Sequence, residues 1–503
     1  MKNVLEYLEK SASSFPNKVA AEDENGACTF QELQKSCMRI GSGIIEKFDR
    51  GTPVAVFMDK SIASLSAFLG IVYAGGFYVH LSPELPAARL RQIQSILQAA
   101  YIITDRKHRA DAQKIFPSAT VLLVEEIRSG PIRKASLDSI RRRMIDTDPL
   151  YAIFTSGSTG VPKGVVVSHR CVIDFIDTFT ALFQIRRTDV IGNQAPFDFD
   201  VSVKDIYSAL KTGATLSIIP KQLFSRPKDL LDWLCDHKIT TMIWAVSALC
   251  LISTFHGLDY RQPNAVRQIL FSGEVMPIKH LQIWMERLPK AQFVNLYGPT
   301  EITCNCTYHI LKRENNYHEG IPIGQAFPNK EVFLLGSEDE RICKPGVEGE
   351  ICVRGTALAL GYYGAPEQTA AVFVQNPLNR HYPDLIYRTG DIGKYTDSGD
   401  LLFCGRKDFQ IKHMGHRIEL EEIERAVANL PDIERCCCVF DEQRQKLYGF
   451  YTGSVDKKEL HRQLRTQLPI YMVPGALYHL TEFPLSKNGK VDRKHLLERR
   501  SHK

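Results

Sequence analysis

The chain has 503 residues, enough for roughly two to four domains at the usual size of a folding unit. Its 44% hydrophobic and 24% charged residues are those of an ordinary soluble protein with material for a large core. The 63 basic and 57 acidic residues leave a net charge of +6, too slight and too evenly spread to argue for nucleic acid; it suits weak attraction to an acidic protein partner or simply a solvated mixed surface. Among 13 cysteines no CxxC pair occurs: Cys304 and Cys306 are one residue apart, and Cys436, Cys437 and Cys438 are consecutive. Neither pattern is a zinc knuckle or a disulfide framework, which predicts reduced thiols in a cytoplasmic protein.

The N-terminal MKNVLEYLEKSASSFP alternates charged and apolar residues and lacks the apolar core of a signal peptide. Ser61 to Pro83 carries no formal charge and reaches membrane-span length. Gly75-Gly76 divides it, and its four serines and His80 point instead to a buried helix followed by a buried strand, with no membrane span. From about 150 to 300, β-rich runs alternate with helix-period segments. TLSIIP at Thr215–Pro220 reads as a strand, Arg226–Lys238 as a helix, Ile239–Val246 and Arg267–Phe271 as strands. A helix striped by Leu281, Trp284, Met285 and Leu288 follows, then the strand Ala291–Tyr297. Such alternation predicts an α/β fold with parallel sheet covered on both faces. After about 405 the texture changes to a small α+β unit. Its first helix carries Leu420, Ile423, Val427 and Leu430; CCCVF and KLYGFY read as strands, and Leu460, Leu464 and Leu468 mark a second helix. The expected organisation is a large N-terminal domain over 1–407 and a small mobile C-terminal domain over 408–503.

The strongest local signal is YAIFTSGSTGVPKGV at Tyr151–Val165. A short apolar strand runs into Thr155, Ser156, Gly157, Ser158, Thr159 and Gly160, then Lys163 follows Pro162. Glycines let successive N–H groups turn inward, hydroxyls add donors, and the lysine adds a point charge, so the segment suits a polyphosphate. The GxxxxGK[ST] spacing is absent, so this is not a Walker A loop.

The segment resembles the phosphate loop of the adenylate-forming superfamily, which comprises acyl-CoA synthetases, luciferases and nonribosomal peptide adenylation domains. Further motifs of that family occur in order: TFQEL at Thr29–Leu33, FDVS at Phe199–Ser202, NLYGPTE at Asn295–Glu301 and GEICVRG at Gly349–Gly355. YRTGD at Tyr387–Asp391, GRKDFQIKHMGHRIELEEIE at Gly405–Glu424 and NGKVDR at Asn488–Arg493 complete the set, so the resemblance spans nearly the whole chain. It implies an ATP- and Mg²⁺-dependent ligase in which a carboxylate attacks the α-phosphorus and expels pyrophosphate. On that resemblance Tyr297 stacks on adenine, Asn295 meets its edge, and Gly273, Glu274 and Gly298 belong to the nucleotide site. Thr300 bonds phosphate, Glu301 holds the metal, Asp391 takes the ribose hydroxyls and Arg406 steadies the same ribose or phosphate. Lys490 is implied as the catalytic lysine, Asp408 as the hinge of the small domain, and Gly415 as part of the loop that serves thiol transfer.

Amino-acid activators need an anion for the α-ammonium, and Asp200 in NQAPFDFDVSVKDIY stands where that family keeps one. The NQAPF, FSGEV and FQIK runs look most like D-alanine:carrier-protein ligases, which charge the phosphopantetheine thiol of a separate carrier protein. The implied side-chain pocket begins with Asp200, Val201, Lys204 and Trp244. Leu270, Ser272, Leu296, Cys304 and Asn305 complete it, with Lys490 above. Lys204, Ser272 and Leu296 depart from the D-alanine pattern. Lys204 either faces an acidic substrate side chain, reaches solvent or pairs with Asp205 or another local acid, which leaves an acidic or a small amino acid open. An acyl- or aryl-CoA synthetase and a non-catalytic nucleotide-binding relative remain alternatives.

Overall fold

The computed structural model describes residues 1–157, 161–317, 320–407, 410–442, 444–484 and 491–499, and every count below is of those residues. The chain divides into two compact units. The first comprises Met1–Ser82, Ala99–Ile153 and Val165–Lys407; the second comprises Pro83–Gln98, Phe154–Gly164 and Asp408–Lys503.

In the first unit, helices start where the local chemistry supplies caps. In TFQEL, the Thr29 side chain accepts from the Glu32 N–H at 3.3 Å while the Glu32 carboxylate accepts from the Thr29 N–H at 2.8 Å. This reciprocal pair satisfies two of the donors that the helix Phe30–Ile44 would otherwise leave open. The uncharged stretch near residue 70 forms the buried helix Ile62–Tyr73 and the buried strand Phe77–His80, as expected from its glycine break. No helix among the described residues is long and apolar enough to cross a membrane.

Three sheets follow. The nine-stranded one has a parallel centre in which Gln292–Tyr297, Gln268–Ser272, Thr241–Ala245, Val190–Asn193 and Thr215–Ile218 lie side by side. The predicted βα alternation over 150–300 is thus realised, with the helices Val201–Thr212, Pro227–Asp236 and Ile278–Arg287 between the strands. Strands Pro149–Thr155, Phe77–His80, Pro53–Phe57, Tyr101–Thr104 and Thr120–Leu123 form the parallel part of a seven-stranded sheet. A six-stranded antiparallel sheet is made from residues 330–406.

The second unit is a smaller α+β body. Ile433–Asp441 pairs antiparallel with Lys446–Gly453, which runs parallel to Ala476–His479. This last strand carries no clear sequence period and escaped the pattern reading. Helices Leu420–Ala428 and Lys457–Gln467 pack their predicted leucine and isoleucine stripes into one apolar cluster. Within this unit Arg89, on the helix Ala87–Leu97, forms a buried ion pair with Glu422. The fold is therefore α/β, a large domain with parallel sheets plus a smaller C-terminal one.

Candidate active site

Two of the sequence motifs close on each other at the end of the strand Gln292–Tyr297. Tyr297 donates its hydroxyl to the Asp391 carboxylate, and Arg406 donates to the other Asp391 oxygen and to the Thr389 carbonyl at 3.2 Å. Antiparallel register sets Asp391 opposite Arg406, so the ion pair follows from pairing of Leu385–Tyr395 with Leu401–Arg406. The Asp391 N–H donates to Thr389 Oγ1 at 2.9 Å, and Thr389 in turn donates to the Ile351 carbonyl at 2.8 Å. Asp391 is 2% exposed. Burial, then the neighbouring Asp391 charge, holds the Tyr297 phenol well above its ordinary range, so it remains a hydrogen-bond donor. Behind this corner Glu350 of GEICVRG accepts from Arg388 at 2.8 Å, Lys407 at 3.0 Å and the Gly390 N–H at 3.1 Å. Burial alone would raise the Glu350 pKa, but the two cations outweigh it and the carboxyl is lowered.

After Tyr297 the chain folds back sharply. A Cβ on Gly298 would lie 2.6 Å from Asn305 Cα, so only glycine permits the close return, which the Cys306 N–H closes onto the Tyr297 carbonyl at 2.8 Å. Thr303 and Cys304 are held at φ of 57° and 70°, a left-handed pair unfavourable for side chains of this kind. Thr303 Oγ1 donates to the Ala357 carbonyl at 2.8 Å, one of the bonds that holds the bend. The bend presents Thr300 and a fully buried Glu301, whose Oε1 accepts from the Tyr362 hydroxyl at 2.7 Å. Tyr362 lies outside every motif read from the sequence; only the pairing of Gly361–Tyr362 with the strand Lys163–Ser168 marks its position.

The same bend carries Cys304 and Asn305 to the start of the helix Val201–Thr212. Cys304 Sγ donates to the Asp200 carbonyl at 3.3 Å, and Asp200 is 6% exposed. Four residues on, hence on the same helical face, Lys204 is fully buried and does not reach solvent. Its ammonium donates to Asn305 Oδ1 at 2.8 Å and to Ser272 Oγ at 3.4 Å. Nor does Lys204 form an ion pair with Asp205, whose Oδ2 accepts from Asn193 Nδ2 at 2.8 Å. Burial raises the Asp205 carboxyl to about 7 and lowers the Lys204 ammonium. Val201, Leu270, Ser272 and Leu296 are buried in the same neighbourhood, at 5% exposure or less.

Trp244 is a correction. Strand alternation puts Trp244 in register with Phe271, both in the apolar cluster on one face of the nine-stranded sheet, whereas Ile243, Leu270, Val294 and Leu296 belong to the cluster on the other. The Trp244 indole donates to the Gly192 carbonyl at 2.7 Å. Its neighbours Ile243 and Ala245, in register with Leu270 and Ser272, lie on the opposite face from Trp244. A one-residue offset in a strand reverses the face. Asn295 shares the Phe271 face and donates to the Pro322 carbonyl at 2.9 Å. Glu274 accepts from the Ser247 N–H at 3.1 Å, beside Gly273.

In the second unit, Ser156 donates to the Arg417 carbonyl at 2.5 Å, and a Cβ on Gly157 would lie 2.2 Å from the Val161 carbonyl. The Thr155 hydroxyl is buried without a hydrogen-bond partner, and half-buried Lys163 begins the next strand. An orphaned donor beside a turn too tight for any side chain fits an oxyanion ligand such as a phosphate. Gly415 turns the hairpin between Gln410–His413 and His416–Glu419. Ser158, Thr159, Gly160, Asp408 and Lys490 lie outside the described residues.

Residues 8–363 match the AMP-binding enzyme family, and residues 422–490 match the AMP-binding enzyme C-terminal domain. The chain belongs to the AMP-binding enzyme family. The D-alanine--D-alanyl carrier protein ligase of Bacillus cytotoxicus is 32% identical across 98% of this chain and 99% of its own. Bacitracin synthase 1 of Bacillus licheniformis is 32% identical over 99% of this chain, a match that occupies 9% of that much longer protein. Among solved structures, an NRPS protein containing adenylation and PCP domains superposes with a TM-score of 0.85 at 26% identity, covering 99% of this chain and 84% of that one. The Vibrio cholerae adenylation domain AlmE shares the fold, with a TM-score of 0.86 at 21% identity over 100% of this chain and 98% of that one. This AMP-binding enzyme is accordingly an AMP-forming ligase that consumes ATP.

Proposed function

We propose that this family member activates an amino acid as its aminoacyl adenylate and transfers the acyl group to the phosphopantetheine thiol of a separate carrier protein. The observation that carries the reading is the eight-residue return from Gly298 to Asn305. It joins Tyr297, which holds Asp391, to Cys304 and Asn305, which hold the start of the Asp200 helix. One bend thus links the Asp391 corner to the start of the Asp200 helix, which supports assigning the nucleotide to the first and the α-ammonium to the second. Asp200, 6% exposed at the start of its helix, offers a carboxylate of the charge that an α-ammonium requires. The carrier-ligase and adenylation-domain relatives, matched along the chain, support the same reading.

In this scheme Asp391, oriented by Tyr297 and Arg406, accepts the two ribose hydroxyls. Within the first unit Thr300 is assigned to phosphate and Asp200 to the α-ammonium; in the second unit Thr155, Ser156 and Lys163 are assigned to phosphate by their own chemistry. A substrate carboxylate oxygen then forms its bond to the α-phosphorus as the bridging P–O bond to pyrophosphate breaks. Lys490 neutralises the charge that develops there. In the second half-reaction the carrier thiol, its proton released, attacks the acyl carbon, a thioester forms and AMP leaves with the electron pair of the C–O bond. Asp408 and Gly415 are assigned to the change of pose between the two steps.

A magnesium ion fits the donor set. Glu301 offers hard carboxylate oxygen, while no group of three or more His, Cys, Asp or Glu among the described residues would cage a metal without the nucleotide's own oxygens. Bound there, the ion would neutralise polyphosphate charge.

Amino-acid-dependent ATP–[³²P]pyrophosphate exchange across the full set, D-forms included, tests the proposal, with Lys490→Ala alongside. Exchange with one or a few amino acids, lowered at least roughly a hundredfold by Lys490→Ala, is expected. Exchange with fatty or aryl acids and none with any amino acid would replace the reading by that of an acyl-CoA synthetase.

A further inference from the structure

Lys204 is the feature that adenylate chemistry leaves unused. Its side chain is completely buried, and its two hydrogen-bond acceptors, Asn305 Oδ1 at 2.8 Å and Ser272 Oγ at 3.4 Å, are both neutral. An ammonium has three donors, so among the described residues one N–H has no acceptor. No carboxylate lies within 4.0 Å of it among those residues, and the adjacent Asp205 turns one oxygen to Asn193 while leaving the other without a partner. The Asp200 and Asp205 charges favour the ammonium without touching it, burial outweighs them, and a ligand of opposite charge in direct contact would offset that cost.

A second cation reinforces the first. Lys330 donates to the Asn305 carbonyl at 2.7 Å, with its ammonium 4.4 Å from the centre of the Phe175 ring and 5.4 Å from that of Phe327. Asn305 therefore has a lysine on its backbone oxygen and another on its side-chain oxygen. Both draw electron density from the amide and hold it in one orientation. Around this point the surroundings are apolar and closed: Leu270, Leu296 and Cys304 are each at most 2% exposed. Positive potential in such a low-dielectric place is strong and short in reach.

We infer that the floor of the amino-acid pocket is an anion subsite, in which Lys204, oriented by Asn305 and Ser272 and backed by Lys330, binds the side-chain carboxylate of an acidic amino acid. The inference rests on the amino-acid-activating reading above. Asp200 and Lys204, one helical turn apart on the same face, then act as opposite ends of a charge ruler. The α-ammonium meets the carboxylate at the mouth, and the distal carboxylate meets the ammonium at the floor. The closed apolar walls favour a short chain, as in aspartate or glutamate, over a long one. A neutral isostere would leave the Lys204 donor unanswered, and a cationic side chain would be repelled.

The test is pyrophosphate exchange by the full chain with aspartate and glutamate set against asparagine, glutamine, alanine and lysine. Lys204→Met, a substitution of similar length without charge, is measured beside wild type. At least one acidic amino acid is expected to exceed its neutral amide in kcat/KM by roughly tenfold or more. Lys204→Met should bring that ratio to near one, and Lys330→Met should act on the KM for the acidic amino acid rather than that for ATP. Wild-type preference decides the matter even where a variant folds poorly. Equal or better exchange with neutral amino acids overturns the anion subsite while leaving amino-acid activation standing. An acidic preference that survives Lys204→Met in folded protein overturns the assignment to Lys204. Absence of exchange with every amino acid overturns both.

Discussion

The corner around Asp391 and the surroundings of Lys204 grow from neighbouring residues of one strand, Tyr297 and Leu296, yet their charges are handled in opposite ways. At the corner every charge is answered within the protein: Asp391 has Arg406 and Tyr297, and Glu350 has Arg388 and Lys407. Around Lys204, among the described residues, the buried ammonium hydrogen-bonds only to neutral oxygens. A closed network keeps its geometry whatever is bound and serves the part of the reaction shared by all substrates. An open charge is costly until a ligand arrives, and serves selection.

The largest effect that would break this comparison is expected from Asp391→Asn. Replacing the carboxylate removes two charge-assisted bonds and leaves Arg406 buried beside a neutral amide, a loss of roughly 2–4 kcal/mol. Pyrophosphate exchange should fall about a hundredfold or more in kcat/KM for ATP, by the same factor with each amino acid. A loss that varies with the amino acid would mean that corner and floor are not separate.

The second expectation concerns the pH range over which either region is readable. His80 and His169 are buried and, among the described residues, have no partner on one ring nitrogen. Burial lowers them to about 4 and about 3. An unfolded chain protonates both below about 6.5 while the folded one does not. Their contribution is therefore fully present above that pH and is lost as pH falls toward 4, by up to about 1.4 kcal/mol per pH unit for each. Urea unfolding at pH 7.0, 6.0 and 5.0 should show stability declining through this window, with the decline halved in His169→Gln. A flat profile would remove the two imidazoles as acid-sensitive points.

The smallest effect sharpens where the pocket lies. Trp244→Phe should cost about 1–2 kcal/mol, through the lost bond to the Gly192 carbonyl and a small cavity, with amino-acid preference untouched. Ala245→Leu, one residue along and on the Ser272 face, should instead raise the KM for the amino acid severalfold. Selectivity that moves with Trp244 and not with Ala245 would return the pocket to the other face of the sheet.

Much of the corner was readable in advance because its residues sit inside contiguous motifs. NLYGPTE supplies Tyr297 and Glu301, YRTGD supplies Asp391, and the start of GRKDF supplies Arg406. The pocket resisted because its walls come from separate elements, each contributing one or two residues whose face depends on register. Trp244 illustrates the failure: the strand was recognised, but its neighbours in the sheet decide which residue faces the helix Val201–Thr212. Lys330 and Tyr362 were missed for a related reason. Each acts through residues far along the chain, Lys330 on Asn305 and Phe175 and Tyr362 on Glu301, and neither lies in a motif.

The sequence by itself determined the family, the α/β class and the motifs that meet at the Tyr297–Asp391–Arg406 corner, since these depend on local chemistry and on spacing along the chain. Only the tertiary structure decided that Lys204 is wholly buried, that Asp205 does not neutralise it, and that Ala245 rather than Trp244 shares the Ser272 face. Burial and charge compensation are properties of what surrounds a side chain in space, and those surroundings come from residues tens to hundreds of positions away.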